Sequence, residues 1–317
     1  MKKVLITGIS GFAGSFLAEY LLDQGYSVSG TVLSGTTSPN ISHIADKLQL
    51  FSVNLLEKES VEKIIADSKP DEIYHLAALT SPAKSFENPQ ETIMNNVIAE
   101  MNIFEAVKKA GLVSKILITS SAEVYGMVSE KDLPIDEQTP LMPGSPYAVS
   151  KITQDYLALQ YFISAKIPVI RVRPFNHIGP RQAPAFVVAR FASQIANIEK
   201  GKAEPILKVG NLSAKRDFTD VRDIVKGYVA LIQKGTMGDA YNIGSGASYK
   251  IEDILNKLLS LSTIKVKVEV DPSVFRPVDV ANLVCDITKI KTQTGWQPTI
   301  ALDQTLKDTL DYWRKIV

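Results

Sequence analysis

Three glycines at every third position, Gly8, Gly11 and Gly14, lead from the apolar run Val4-Leu5-Ile6-Thr7 into a helical pattern over 12–24. No other feature narrows the possible folds as far. The apolar run reads as a buried parallel strand. Phe16, Leu17, Leu21 and Leu22 recur at helical spacing, and Gly25 ends the pattern. A glycine turn from strand to helix opens a βαβ unit in which the helix N-terminus can receive the phosphates of a dinucleotide. Gly8 permits the tight turn, Gly11 lets backbone approach a pyrophosphate, and Gly14 lets the helix pack closely. Gly8, Gly11, Phe12, Ala13 and Gly14 are therefore candidate cofactor residues. The plainer reading is a glycine-containing loop, which the strand before and the helix after disfavour.

The same rhythm continues. Strands are expected over 28–33, 50–53, 73–76, 115–119 and 169–172, with helices over 59–66, 90–110 and 147–165. Alternation of this kind implies a right-handed, doubly wound parallel sheet, an α/β fold of Rossmann type. After Arg173 Pro and Gly become frequent, and helical patterns return over 185–199, 221–233 and 251–261. Residues 1–172 are expected to form the dinucleotide-binding domain, with segments around 217–243 returning to it. Residues 173–317 mainly form a smaller, substrate-binding C-terminal lobe.

Composition removes several classes of function. Lys plus Arg is 35 against 34 Asp plus Glu, so the formal net charge is +1. Neither nucleic acid nor an anionic membrane is expected as the main partner, and any anion site must be local. The single cysteine, Cys285, argues against a disulfide scaffold. The apolar run after Met1-Lys2-Lys3 breaks at Thr7-Gly8, too early for a signal peptide. No stretch approaches a membrane span in length. A cytoplasmic location is the default. His43, His75 and His177 share no metal-ligand spacing, so no metal site is expected.

Tyr147 and Lys151 lie one helical turn apart. A cationic lysine beside a phenol favours the phenolate and lowers the tyrosine pKa. A chain of this size offers about one such pair by chance, so its neighbours carry the weight. Ser120-Ser121-Ala122-Glu123 follows the strand over 115–119, and the carboxyl ends of such strands are where ligands bind. Ser121 and Tyr147 can meet there on one substrate oxygen, with Tyr147 moving the proton and Lys151 holding the nicotinamide ribose. The second strand ends Thr31-Val32-Leu33-Ser34, with neither the acid that holds the ribose of NAD nor an arginine for a 2′-phosphate. Loss of the acid removes repulsion, so NADP(H) is the expected cofactor, with NAD the alternative. Asn54 and Leu55 are candidate adenine contacts; a polar strand end explains Asn54 as well.

These pieces together resemble the extended short-chain dehydrogenase/reductase superfamily, in its nucleotide-sugar branch. The matching segments are Thr7 to Gly14, His75-Leu76-Ala77-Ala78, Asn96-Val97, Ser120 to Gly126, Ser145-Pro146-Tyr147 with Lys151, and Arg173-Pro174-Phe175-Asn176. Within the branch, the stretches over 176–182 and 209–217 are similar to enzymes of GDP-mannose metabolism, above all the 4-ketoreductases that form GDP-rhamnose. The resemblance implies NADPH-dependent reduction of GDP-4-dehydro-6-deoxymannose, with Ser121, Tyr147 and Lys151 catalytic. It adds Thr31, Leu76, Ala77, Ala78 and Phe175 to the cofactor contacts. It also implies that Asn176, Arg190, Lys208, Arg216 and Arg276 bind the sugar nucleotide.

Glu123 strains the match. Sugar-nucleotide 4,6-dehydratases place their base at that position, so a GDP-mannose (or other NDP-sugar) 4,6-dehydratase is the alternative reading. Against it, those enzymes generally carry Thr where this chain has Ser121. A non-catalytic dinucleotide-sensing protein is a third reading, with no need of Tyr147 or Lys151. Ile93, Val97, Met101, Phe104 and Val107, with Ile152, Tyr156, Leu159, Phe162 and Ile163, make two helices apolar around much of their circumference. The resemblance implies that they pair across a two-fold axis as a four-helix bundle, giving a homodimer.

Overall fold

The computed structural model describes residues 1–272 and 280–317. Its strands are β1 (Lys3–Thr7), β2 (Ser27–Val32), β3 (Gln49–Ser52), β4 (Glu72–His75), β5 (Lys115–Thr119), β6 (Val169–Pro174), β7 (Asn176–Ile178), β8 (Ile206–Val209), β9 (Lys215–Asp220), β10 (Ala240–Ile243), β11 (Ser248–Lys250), β12 (Lys267–Val270) and β13 (Asn282–Leu283). Its helices are α1 (Phe12–Asp23), α2 (Lys58–Ser68), α3 (Pro82–Glu87), α4 (Pro89–Lys109), α5 (Pro146–Ala165), α6 (Val187–Glu199), α7 (Val221–Lys234), α8 (Ile251–Ser260), α9 (Thr288–Thr294) and α10 (Leu302–Ile316).

Seven strands form one parallel sheet in the order β10-β6-β5-β4-β1-β2-β3. The order reverses between β1 and β4, which places a crevice at the carboxyl ends of those strands. The expected α/β doubly wound sheet is therefore what the chain forms. Continuous apolar runs explain it: Val4, Ile6, Ile73, Ile116, Leu117, Ile118, Val169 and Ile170 are all buried, as strands covered on both faces require. One side of the sheet packs on α1 and α7, the other on α2, α4 and α5. Though they follow residue 173, α7 covers this sheet and β10 forms its edge.

A second core gathers α6, α8 and α10 around Phe191, Ile195, Leu207, Ile254, Leu258, Leu306 and Leu310. It carries the small strand sets β11-β9-β13, with β7 against β9, and β12-β8. Among the described residues no helix is long and apolar enough to cross a membrane.

Beside β6, one strand in from the β10 edge, Asp155 of α5 is fully buried between two arginines. Arg171 Nη1 donates to its Oδ1 at 2.6 Å, and Arg173 Nε to its Oδ2 at 2.8 Å. Arg173 also reaches the Tyr125 hydroxyl at 3.0 Å, which in turn donates to Asn242 of β10 at 2.7 Å. This network ties the helix that carries Tyr147 to two strands of the sheet.

Candidate active site

The first turn of α1 forms one wall of a cavity of about 500 Å³. Gly8 has φ +70, and a Cβ there would stand 3.0 Å from Ala77 Cα at the end of β4. A Cβ on Gly14 would lie 2.3 Å from the Gly8 carbonyl oxygen, so glycine is what lets the helix start against its own turn. Gly11 is the N-cap of α1 and supplies no capping side chain. The N–H groups of that turn are thus left to an incoming phosphate, which fits the pyrophosphate of a dinucleotide.

The opposite wall is built by β5 and α5. Ser145 caps α5 by accepting from Ala148 N at 3.1 Å, and Pro146 occupies its first turn. This start fixes Tyr147 at the mouth of the helix and Lys151 one turn inside it. Ser121, just past β5, accepts from Glu123 N at 3.2 Å and lines the same cavity as the Tyr147 phenol. Lys151 Nζ donates to the Thr119 carbonyl at 2.8 Å.

One sequence expectation about electrostatics needs correction. Burial pushes the Tyr147 phenol well above its ordinary pKa. The Ser121 hydroxyl opposes this, and the nearby Glu123 carboxylate adds to it. The phenol is therefore not made unusually acidic, because desolvation outweighs any help from Lys151. Lys151 is itself pushed down to about 8 by burial.

The cavity brings together every sequence candidate on the cofactor and catalytic side. Gly8, Gly11, Phe12, Ala13, Gly14, Thr31, Asn54, Leu55, Leu76, Ala77, Ala78 and Phe175 line it, with Ser121, Glu123, Tyr147, Lys151 and Asn176. Asn54 Oδ1 is engaged by Leu56 N at 3.1 Å, and Thr31 Oγ1 by Gly8 N at 3.2 Å. The substrate arginines and lysine behave differently. Arg190 on α6 and Lys208 on β8 are not among the lining residues. Nor is Arg216, which is buried in β9 and donates to the Lys215 and Val280 carbonyls at 2.8 and 2.6 Å. Arg276 lies outside the described residues.

Several lining residues escaped the sequence reading. Gln182 belongs to the very stretch that carried the resemblance, and its Nε2 donates to the His177 carbonyl at 2.9 Å. His177, expected from the sequence to be a hydrogen-bonded wall residue, lines the cavity too and stacks flat on Phe12 with centroids 5.7 Å apart, joining β7 to the glycine turn. Tyr228 of α7 and Asn95 of α4 also reach the cavity, and only the fold brings them there.

A glycine-turn phosphate site facing a Ser–Tyr–Lys set across the switch point of a doubly wound sheet defines a short-chain dehydrogenase/reductase. The chain belongs, within that class, to the family described as GDP-mannose 4,6 dehydratase, which matches it over residues 5–309. It is 33% identical to GDP-6-deoxy-D-mannose reductase of Pseudomonas aeruginosa over 316 residues, 100% of this chain and 98% of the relative. It is 31% identical to GDP-mannose 4,6-dehydratase of Vibrio cholerae, covering 97% of this chain and 92% of the relative. The solved structure of RMD from Pseudomonas aeruginosa complexed with NADPH superposes with a TM-score of 0.86 at 32% identity, over 100% of both chains.

Proposed function

We propose that this protein reduces the C4 ketone of GDP-4-dehydro-6-deoxy-D-mannose to GDP-D-rhamnose, with NADPH as cofactor. The observation that carries the reading is the convergence of Ser121, Tyr147 and Lys151 on one cavity, opposite the glycine turn. The end-to-end similarity to a GDP-6-deoxy-D-mannose reductase supports the substrate. NADPH is supported by the relative crystallised with it and by the β2 end, where Thr31, Val32, Leu33 and Thr36 line the cavity without a carboxylate. Residues 1–172 with the segment 217–243 hold the dinucleotide on this reading, and the remainder faces the sugar nucleotide. A cytoplasmic location belongs to the same reading.

Bound there, the reduced nicotinamide supplies a hydride. Tyr147, whose raised pKa keeps the phenol protonated across the neutral range, gives its proton to the oxygen that becomes the C4 hydroxyl. Ser121 holds that oxygen by a second hydrogen bond and fixes its position against the phenol. Lys151, cationic below about pH 8, stabilises the phenolate left behind and holds the ribose. Phe175 and Asn176 line the same cavity, where Phe175 would meet the nicotinamide and Asn176 would bond the hexose. Arg190, Lys208, Arg216 and Arg276 are assigned to the diphosphate and base end. With GDP-4-dehydro-6-deoxymannose, the enzyme is expected to oxidise one NADPH per sugar reduced. If NADPH stays intact while GDP-mannose is dehydrated, the reductase reading fails.

The second reading is that dehydratase. Glu123 lines the same cavity two residues after Ser121, the position its base would need, and a dehydratase is among the relatives.

A homodimer through α4 and α5 is part of the proposal. The two helices pack on each other. Met94 and Met101 on α4, and Val149, Tyr156 and Ile163 on α5, remain exposed at seven-residue intervals. Phe104 and Val107 instead belong to the subunit's own core. Tyr156→Glu is expected to shift the mass measured by light scattering from dimer to monomer; a wild-type chain that is already monomeric removes the bundle.

A further inference from the structure

Beneath Lys151 lies a buried acid for which the mechanism so far has no use. Glu100 of α4 is completely inaccessible, and neither of its carboxyl oxygens meets a donor. Gln154 of α5, also inaccessible, stands within hydrogen-bonding reach of that carboxyl, and its own Oε1 meets no donor either. Its Nε2 lies 3.4 Å from His75 Nε2. His75 Nδ1 lies 2.8 Å from Thr7 Oγ1, which accepts from Ala77 N at 3.2 Å in the cofactor wall. The acid thus starts a buried chain that ends at the glycine turn's neighbour.

Three buried acceptor atoms without a donor are costly, by the desolvation of each. A single proton resolves two of them. Placed on Glu100, it turns a carboxyl oxygen into a donor for Gln154 Oε1. We propose that Glu100 is a positioning residue that stands as the neutral acid, gives its hydrogen bond to Gln154 Oε1, and so leaves Lys151 without an unpaired buried anion beside it.

The surroundings agree. On α5 the groups that face Glu100 are Lys151, Asp155 and Tyr161. Asp155 is taken up by Arg171 and Arg173, and Tyr161 donates to Glu105 on Glu100's own helix at 2.7 Å. From β4, His75 is pushed down to about 3 by burial and carries no charge in the working range. On α2, Glu62 pairs with Lys109 at the far end of α4. Among the described residues, no charged group of α2 or α3 acts on the carboxyl. Burial is the largest influence on Glu100 and drives its pKa well up; Lys151 opposes this.

The consequence falls on Lys151. An ionised Glu100 would hold the ammonium charged to higher pH. A neutral one leaves burial in control, so the ammonium loses its proton at or below about pH 8. Activity is then full below that value and falls above it.

This inference rests on the role given to Lys151, so its test has one arm independent of turnover. At pH 7 the wild-type infrared spectrum is expected to contain a protonated carboxyl C=O band that vanishes in Glu100→Gln. Absence of that band in the wild type overturns the proposal whether or not the protein reduces sugars. In turnover, Glu100→Gln keeps the shape and a donor for Gln154 Oε1, so its alkaline limb in kcat/KM is expected at the wild-type pH. A limb moved down by about one unit or more would mean that a charge had been removed, and would overturn it. Glu100→Ala is expected to lower kcat by about tenfold, the size of one unpaired buried acceptor, with KM little changed.

Discussion

Replacing Tyr147 with Phe is expected to lower kcat by about 10²–10⁴-fold, the usual contribution of a positioned general acid. The ring fills the same space, and Ser145 still caps the helix, so the change removes little but the proton. Affinity for NADPH is expected to stay within about twofold, because the first-turn N–H groups of α1 do not involve the phenol. Titration of cofactor fluorescence measures the binding, and NADPH oxidation in the presence of the keto-sugar measures turnover. Unchanged turnover with unchanged binding would mean that the site senses a dinucleotide and does no chemistry.

The raised pKa of the buried phenol bears on the direction of the reaction. A general acid is useful only while protonated, and burial keeps Tyr147 so. A base needs the opposite, and in the dehydratase reading that work would fall to Glu123. The environment of the phenol therefore suits ketone reduction, where the proton flows from protein to product.

Asp155→Ala is expected to be the most damaging change outside the cavity. It strips the shared counter-ion from Arg171 and Arg173, both buried. Breaking a buried pair by removing one partner costs about 3–5 kcal/mol, because the surviving charge stays desolvated. Here two guanidiniums lose their partner, while Arg171 keeps the Gly238 carbonyl and Arg173 keeps Tyr125 and the Glu137 carbonyl. Urea unfolding followed by circular dichroism measures the loss. A cost below about 1 kcal/mol would show that the two strands do not depend on this helix contact.

What could be read from the chain alone follows from which interactions are local. The glycine turn was legible because strand, turn and helix are consecutive, and their periodicities switch at Gly8. Ser121, Tyr147 and Lys151 could be placed because each sits at an element end that the sheet aims at one crevice. The role of Arg173 was not legible. It stood in a resembling segment beside Phe175 and Asn176, yet its guanidinium turns away into Asp155. Glu100 falls on the stripe of Ile93, Val97, Phe104 and Val107, a spacing that marks it as buried; only its place beside a lysine from another helix was beyond the sequence. The helix α10 was missed although Leu302, Leu306 and Leu310 recur every fourth residue; the signal was there, in a lobe whose Pro- and Gly-rich start had loosened the pattern. The acidity of Tyr147 was misjudged because neighbours can be counted along a chain and burial cannot.

The most direct measurement follows the hydrogen itself. NADPH carrying deuterium at the transferable nicotinamide position is mixed with GDP-4-dehydro-6-deoxymannose, and the product sugar is analysed by mass spectrometry and proton NMR. One deuterium at C4 of the deoxyhexose, matched by one oxidised cofactor and absent with Tyr147→Phe, is the expected result. A product without deuterium, or GDP-mannose consumed while the labelled cofactor is returned unchanged, would contradict it.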